Sequence, residues 1–194
     1  MERTARLLPA RRRLRKALPA LLAFTDPSRT PDPEALAGRL PRGAALVYRH
    51  FGAPDAEGRA RRLAALARRR GLKLLIGADP TLAARVGAHG VHLPERLAGR
   101  AAAIRRAHPG WIVTSAAHSL GAARASRADA VVLSVAFPSR SASAGTALGP
   151  VRLALRVRAA GRPAYALGGI NNRTARRLID AGLIGLAAVE GFGR

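Results

Sequence analysis

Residues 164–170 read AYALGGI, an apolar run that ends in paired glycines. Short apolar runs bounded by turn residues are typical of buried parallel strands. Two asparagines follow, and the residues Asn172–Ala181 then form a helical pattern that stops before Gly182. We therefore interpret this part of the chain as one strand–turn–helix unit of a repeating β/α architecture.

The same unit recurs along the whole chain. Seven further apolar runs predict strands at Ala20–Asp26, Ala44–His50, Lys73–Ala78, Gly90–Leu93, Trp111–Ser115, Ala130–Phe137 and Gly185–Val189. Helical patterns separate them at Pro33–Leu40, Asp55–Arg70, Pro80–Val86, Ala98–Ala107, Ser119–Ser126 and Pro150–Ala160. Strands that alternate with helices predict a parallel sheet, and this α/β pattern favours a compact (β/α)8 TIM barrel. An open doubly wound sheet is the alternative, although no G-x-G-x-x-G motif follows the first strand.

The length of the chain predicts a single domain with short loops. A β/α barrel typically takes about 250 residues, and this chain has 194. We divide it into an N-terminal basic helical extension, residues 1–18, and a barrel, residues 19–194. The Arg-rich start lacks the serines of a transit peptide and the apolar core of a signal peptide, so we expect a cytoplasmic protein.

The composition is strongly basic, with a formal net charge of +23, and contains no cysteine. Disulfides, zinc thiolate sites and a cysteine nucleophile are therefore excluded, and no apolar run is long enough to span a membrane. Basic proteins bind nucleic acid or small anions, but the clustered aromatic residues that stack on bases are missing. We expect the arginines to solvate helix faces, and we expect the ligands to be small phosphorylated molecules rather than nucleic acid. The sequence leaves open whether the protein forms a homo-oligomer.

Two predicted strand ends carry residues suited to phosphate. Active sites of β/α barrels lie at the C-terminal ends of the strands, and the loops after the last strands often bind phosphate. The loop after the sixth strand contains Ser139 and Ser141, whose hydroxyls and neighbouring backbone N–H groups suit an anion. Gly168 and Gly169 end the seventh strand, where absent side chains let a ligand approach the backbone. We therefore predict a phosphate site between these two loops.

Other strand ends carry groups that could act in catalysis or bind a metal. Arg49 follows the second strand, and His92 lies in the fourth. Ser115 ends the fifth strand, and His118 opens the helix after it. The carboxylates of Asp79 and Glu95 follow the third and fourth strands and are candidates for Mg²⁺, which prefers oxygen ligands. Two ordinary explanations stay open: His92 as a packed core residue, and Asp79 as the N-cap of the helix that starts at Pro80.

In this order, the strand-end motifs resemble the thiamine phosphate synthase and thiazole tautomerase superfamily. The matching pieces are Thr25-Asp26, Arg49, Gly90–Leu93, Thr114–Ser119, Ala128–Ala130, Phe137–Ser141, Ala166–Ile170 and Ala181–Gly185. The resemblance covers roughly residues 18–192 and implies a β/α barrel that binds thiazole phosphate, or thiamine phosphate as product. In the synthase, hydroxymethylpyrimidine diphosphate loses pyrophosphate with help from Mg²⁺, and the thiazole nitrogen attacks the resulting cation.

The chain departs from the synthase pattern on one side of the site, as expected of a divergent member. The pattern Gln-x-Arg-x-Lys falls on Val47–Phe51, where Arg49 alone is kept, and the Asn-Asp pair falls on Gly77-Ala78. The second metal-binding Asp falls near Leu97, and the lysine after the hydroxyls is Ala142. The thiazole-phosphate half is thus retained, while the pyrophosphate and metal half has changed.

The working hypothesis is a thiamine phosphate synthase-like transferase of thiamine biosynthesis. Arg49 would meet the diphosphate, Asp79 and Glu95 would hold Mg²⁺, and the serines and glycines would hold the thiazole phosphate. The first alternative is a metal-free thiazole tautomerase that uses His92 or His118 as its acid–base. The second is a binder of thiamine phosphate that has no enzymatic activity.

Overall fold

The protein forms a closed barrel of eight parallel strands that follow one another around the barrel in chain order. The computed structural model describes residues 1–8, 16–139 and 145–190. The predicted (β/α)8 fold is confirmed, and β1 closes the barrel by pairing with β8, with Leu22 opposite Ala187. The strands are β1 Leu21–Phe24, β2 Ala45–Tyr48, β3 Lys73–Gly77, β4 Gly90–Leu93, β5 Ile112–Ala117, β6 Ala130–Ser134, β7 Ala164–Leu167 and β8 Gly185–Ala188.

Helices follow each of the first seven strands and form the outer layer. They are α2 Pro33–Arg39, α3 Ala56–Arg70, α4 Pro80–Arg85, α5 Ala101–Ala107, α6 Leu120–Ala125, α7 Gly149–Ala160 and α8 Asn172–Arg176, with α1 Glu2–Arg6 ahead of β1. A 3-10 helix over Glu95–Arg100 precedes α5, where the sequence pattern had predicted the start of one α-helix. No helix within the described part of the chain is long and apolar enough to cross a membrane.

The long helix α3 shows how the Arg-rich sequence still builds a packed layer. Leu63 and three alanines face the barrel and are buried, while arginines occupy the opposite face. Gly71 ends the helix in a left-handed conformation, with φ of 64°, as the sequence predicted. The alternation of buried small residues with exposed cations confirms that many arginines solvate helix faces.

The lower half of the barrel interior is filled, so the site has to lie above it. The Tyr165 side chain is fully buried inside the barrel and its hydroxyl donates to the carbonyl of Pro19 at 2.8 Å. Leu18 and Leu22 pack in the same cluster. A side chain at position 185 would lie 2.3 Å from the Tyr165 ring, which explains the glycine there. The tyrosine therefore closes the N-terminal end of the barrel.

The N-terminal segment differs from the predicted helix over residues 1–18. The helix α1 spans Glu2–Arg6 alone and packs against α8 and the outside of β8. Lys16 is not helical, and it reaches the bottom of the barrel, where its ammonium group contacts the Trp111 carbonyl and the Asp129 carboxylate. The described residues of this segment therefore do not form one continuous helix, because α1 ends at the C-cap Leu7 and Lys16 is not helical. Residues 9–15 lie outside the described residues.

At the C-terminal ends that form the site, the predicted strands six and seven extend beyond the observed strands. β6 ends at Ser134 and β7 at Leu167, although the apolar runs continue to Phe137 and Ile170. These additional apolar residues are buried in the βα loops, so their hydrophobicity marks loop packing rather than strand. The last helix, α8, is also shorter than its pattern, since it ends at Arg176 rather than Ala181, and Asn171 is its N-cap.

Candidate active site

A cavity of about 810 Å³ opens at the C-terminal ends of the barrel strands. Its floor is made of inward-facing strand residues, among them Phe24, His92 and Val132, and its rim is made of βα loops. The cavity brings together most of the predicted site residues: Arg49, His92, His118, Ser139, Gly168 and Gly169. Of the ten predicted site residues, Ser115, Asp79 and Glu95 do not border it, and Ser141 lies outside the described residues.

The paired glycines after β7 are required by a close approach of two loops. Gly168 and Gly169 have φ values of 100° and 62°, which residues with side chains rarely adopt. A Cβ at Gly169 would lie 2.5 Å from the carbonyl oxygen of Pro138 and 2.8 Å from the Phe137 Cβ. The Phe137 N–H also donates to the Gly168 carbonyl at 3.0 Å. The β7 glycines thus set the position of the β6 loop, which carries Ser139 to the cavity.

Arg49 is held firmly on the opposite side of the cavity. Its Nε donates to the Thr25 carbonyl at 2.7 Å, and a terminal nitrogen lies 3.4 Å from an Asp26 carboxylate oxygen. The guanidinium lies over the rings of Phe24 and Phe51, at 5.5 and 5.2 Å from their centroids. Burial lowers the pKa of Arg49, and Asp26 opposes this shift. The arginine is therefore a positioned, partly desolvated cation that faces the cavity.

Asp26 anchors a second arginine at the same place. Burial favours the neutral form of its carboxyl, but hydrogen bonds from Ser28 and the charge of Arg29 outweigh burial and lower the pKa of Asp26. Arg29 lies 3.4 Å from Asp26 and 4.0 Å from Glu190, and it borders the cavity. The pair of arginines around Asp26 gives this side of the cavity a positive rim.

His92 lies on the cavity floor as a neutral, buried imidazole. Its Nδ1 lies 3.0 Å from the Thr114 hydroxyl, and its ring packs edge-on against Phe24 at 4.8 Å. Burial, with a smaller contribution from the positive charge of Arg49, lowers the pKa of His92 to about 3. At neutral pH the ring is uncharged, so it can exchange hydrogen bonds with a ligand but holds no proton in reserve as an acid.

His118 is the exposed histidine of the cavity. Its Nδ1 lies 2.9 Å from the hydroxyl of Ser134, which also borders the cavity, and Arg156 donates to its carbonyl at 3.0 Å. The backbone N–H of His118 donates to the Glu95 carboxylate. These contacts hold the start of the β5 loop while leaving the imidazole open to a ligand, as an acid–base requires.

The carboxylates predicted to bind magnesium have other roles. Asp79 accepts a hydrogen bond from the Leu82 N–H at 2.8 Å and caps α4, and its other oxygen lies 3.7 Å from His50. Glu95 is bound to the His118 backbone. The described residues hold no group of three or more His, Cys, Asp or Glu placed to bind a metal, and the remaining residues contain none of these types. The residues present therefore do not fit a Mg²⁺ site.

Ser115 is turned away from the cavity. Successive side chains of a strand point to opposite faces, so Thr114 and Ala116 face the barrel interior and Ser115 faces the helix layer. Its hydroxyl lies 2.8 Å from that of Ser126, and both residues are buried. The prediction placed Ser115 at the strand end, but β5 continues to Ala117. Its hydroxyl is thus not brought to a ligand.

Several residues of the cavity rim were not predicted from the sequence, among them Arg29, Arg96, Phe51 and Ala78. Phe51 and Ala78 have φ values of 48° and 64°, a left-handed conformation that is uncommon for residues other than glycine and is concentrated at functional sites. No sequence signal marks that strain. The two arginines gave no signal either, because each is one of 34 lysines and arginines.

One protein-family model matches nearly the whole barrel. The model of the family described as "Thiamine monophosphate synthase" matches residues 22–192. The matched range contains every strand end that borders the cavity.

Individual relatives cover most of the chain. The thiamine-phosphate synthase of Thiobacillus denitrificans is 36% identical over 175 residues, which are 83% of this chain and 82% of the relative. That of Alcanivorax borkumensis is 34% identical over 186 residues, 89% of this chain and 84% of the relative. A solved thiamine phosphate pyrophosphorylase from Pyrococcus furiosus shares the fold, with a TM-score of 0.70 and 24% identity over 88% of this chain and 85% of that one. The chain belongs to the thiamine monophosphate synthase family.

Proposed function

We propose that this protein is a thiamine phosphate synthase, which joins hydroxymethylpyrimidine diphosphate to thiazole phosphate and releases pyrophosphate. The observation that carries the proposal is a single cavity of about 810 Å³ with a glycine-lined loop pair on one side and positioned arginines on the other. Two anionic substrates that react with each other need two anion sites that face one shared space. The family relatives, which bear the same activity in their names, support the same conclusion.

The thiazole phosphate is assigned to the side of β6 and β7. Gly168 and Gly169 expose backbone to the cavity, and Ser139 lies beside them on the loop that they position. Backbone N–H groups and hydroxyls bind phosphate oxygens without adding a full charge. Ser141 belongs to this assignment through the sequence motif that it shares with Ser139.

The diphosphate is assigned to the opposite side, next to Arg49. The guanidinium is fixed by Thr25 and Asp26, so little further ordering is needed when a phosphoryl group binds. A planar guanidinium can hold two phosphoryl oxygens at once. The arginine can therefore stabilise the negative charge that develops on the leaving group.

The reaction breaks one bond and forms one bond between the two assigned sites. The carbon–oxygen bond to the diphosphate breaks, and both bonding electrons leave with pyrophosphate. The thiazole nitrogen then gives its lone pair to the pyrimidine methylene carbon and forms the carbon–nitrogen bond of thiamine phosphate. The protein has to align the two ends and exclude water from the cation, and the apolar floor that includes Phe24 and Val132 serves the second need.

The direct test is to supply both substrates to the purified protein and to measure thiamine phosphate, with Mg²⁺ and in EDTA. We expect product that depends on both substrates in at least one of the two media. Reactions that lack either substrate are the controls. A rate at background in both media would refute the proposal.

A second candidate is supported by one specific observation, the exposed His118 beside Ser134. An imidazole that is open to the cavity can move a proton on a thiazole ring, as a metal-free tautomerase requires. Turnover of a thiazole tautomer in EDTA, lost in His118→Ala and kept in Arg69→Gln on α3, would favour this candidate. Calorimetric binding of thiamine phosphate without turnover of any substrate would instead identify a binder with no enzymatic activity.

A further inference from the structure

We infer that this chain neutralises the diphosphate of its ligand directly with arginine side chains, in the place where a divalent cation would serve. The inference rests on the proposed function, because it concerns the diphosphate end of that substrate. It follows from the charges that border the cavity and from the roles already held by the carboxylates.

The cavity is lined by an excess of positive charge. Arg29, Arg49 and Arg96 border it, and Glu190 is the one acidic residue among the described lining residues. Glu190 lies 4.0 Å from Arg29, which offsets part of that charge. Arg96 is exposed, and within the described parts of the chain no carboxylate lies within ion-pair distance of it. Its guanidinium is therefore available to a ligand.

The three arginines approach the cavity from three strand ends. Arg29 follows β1, Arg49 follows β2, and Arg96 lies in the 3-10 helix after β4. These strands lie on one side of the barrel, opposite β6 and β7, where the paired glycines are. The positive charge is thus concentrated at the side to which the diphosphate is assigned.

The carboxylates near this side are occupied. Asp26 accepts hydrogen bonds from Ser28 and lies against two arginines, Asp79 caps α4, and Glu95 accepts from the His118 backbone. A Mg²⁺ ion needs near-octahedral oxygen ligands, and its protein ligands are usually carboxylates. Releasing Asp79 or Glu95 would leave a helix N–H or a loop N–H without its acceptor.

Electrostatics favours the same assignment. Fixed guanidinium groups repel a divalent cation and attract phosphoryl oxygens, and both effects are strong in a partly desolvated cavity. Each arginine supplies planar, paired donors that match two phosphoryl oxygens. Asp26 and Glu190 offset part of the charge of Arg29 and Arg49. Arg96, which has no carboxylate within ion-pair distance among the described residues, adds positive charge that a bound pyrophosphate can use.

The test is calorimetric titration of the full chain with inorganic pyrophosphate, first in EDTA and then in excess Mg²⁺. We expect binding in EDTA that is at least as tight as binding in Mg²⁺, since the metal masks the charge that the arginines recognise. Binding that is tenfold tighter in Mg²⁺, or that is found in Mg²⁺ alone, would overturn the inference. Absence of binding in both media would overturn it as well.

A pair of variants ties the binding to the cavity. Arg96→Gln removes an exposed guanidinium, and we expect pyrophosphate affinity in EDTA to fall about tenfold, the loss typical of a charge-assisted contact. Arg69→Gln removes an exposed guanidinium from α3, remote from the cavity, and we expect affinity within about twofold of the original protein. Equal losses in the two variants would show a nonspecific charge effect and overturn the inference.

The synthase assay separates this inference from the proposed function. Product formed in EDTA supports both the inference and the proposed function. Product formed only with Mg²⁺, together with pyrophosphate binding that needs Mg²⁺, leaves the proposed function standing and removes the inference. Tight pyrophosphate binding in EDTA without any product keeps the arginine site and removes the synthase assignment.

Discussion

The two sides of the cavity have diverged to different extents. On the side of β6 and β7, the glycines and Ser139 of the family motif are present in the sequence and border the cavity. On the side of β2 to β4, Ala78, Asp79 and Glu95 occupy the region of the metal ligands, and the two carboxylates support local structure instead. One barrel thus carries a retained half-site and an altered half-site.

The contacts on the two sides differ in how readily another residue can replace them. Gly168 and Gly169 act through backbone geometry, and any side chain at Gly169 would collide with the loop after β6. Metal ligands act through side chains on separate loops, and a cationic side chain on a neighbouring loop can take over the electrostatic role of the metal ion that they would hold. The site residues of a barrel come from the ends of several different strands, so the residues on one side can change while those on the other side stay.

The largest effect should come from breaking the retained side with Gly169→Ala. The new Cβ would clash with Pro138 and Phe137, and the residue would also sit in a left-handed conformation. We expect a loss of roughly 3 kcal/mol in the free energy of unfolding and loss of thiazole phosphate binding. Urea unfolding and calorimetry with thiazole phosphate measure the two effects.

Gly161→Ala is the matched control for this change. Gly161 has the same φ of 62°, but nothing lies within 4 Å of a Cβ built there. We expect it to lose about 1 kcal/mol of stability from the backbone conformation alone and to keep its affinity for thiazole phosphate. Equal behaviour of the two variants would mean that the loop contact is unimportant.

The next effect concerns the altered side, through Arg49→Lys. A lysine keeps the charge but cannot donate to Thr25 and hold two phosphoryl oxygens together. We expect kcat/KM to fall roughly 30- to 100-fold, the equivalent of about 2 to 3 kcal/mol of lost charge-assisted hydrogen bonding. The loss should appear in the kinetics of the pyrimidine diphosphate, with the KM for thiazole phosphate unchanged. Equal rises in both KM values would place Arg49 outside the diphosphate site.

A pH experiment tests whether His92, on the cavity floor between the two sides, is a buried neutral imidazole. The pKa of His92 is about 3 in the folded protein and 6.5 as a model value, so the unfolded state binds more protons between these values. The stabilising effect of the neutral ring is therefore complete above pH 6.5 and is lost as the pH falls toward 3. We expect the original protein to lose about 2 kcal/mol more than His92→Asn between pH 7 and pH 5 in urea unfolding. Parallel pH profiles would contradict the buried neutral histidine.

The smallest effect should come from Asp79→Asn. Asparagine caps a helix about as well as aspartate, so the contact with Leu82 survives. We expect stability within about 0.5 kcal/mol and synthase activity within about twofold of the original protein. A carboxylate that bound Mg²⁺ would show a much larger loss with a raised Mg²⁺ requirement, and that result would restore the predicted metal site.

The two predictions for histidine and serine show where sequence reasoning about the site succeeds and fails. His92 and His118 were predicted near the cavity from their places at strand ends, and the structure brings both to it. Ser115 was predicted there by the same logic, but the strand is two residues longer, and the alternation of side chains turns it outward. A shift of one residue in a strand reverses the face that a side chain occupies.

The sequence predicted the alternation of strands and helices and the glycine pair, because apolar periodicity, helix ends and turn glycines act over a few neighbouring residues. It favoured a closed barrel over an open sheet, and the structure shows the closure and the strand order. The helix ends at Gly71 and the cap at Asp79 were predictable for the same reason. Only the tertiary structure decided which polar groups share the cavity. Arg29, Arg49 and Arg96 follow different strands and border one cavity because the barrel closes, while Asp79 and Glu95 already accept hydrogen bonds from the backbone N–H groups of Leu82 and His118.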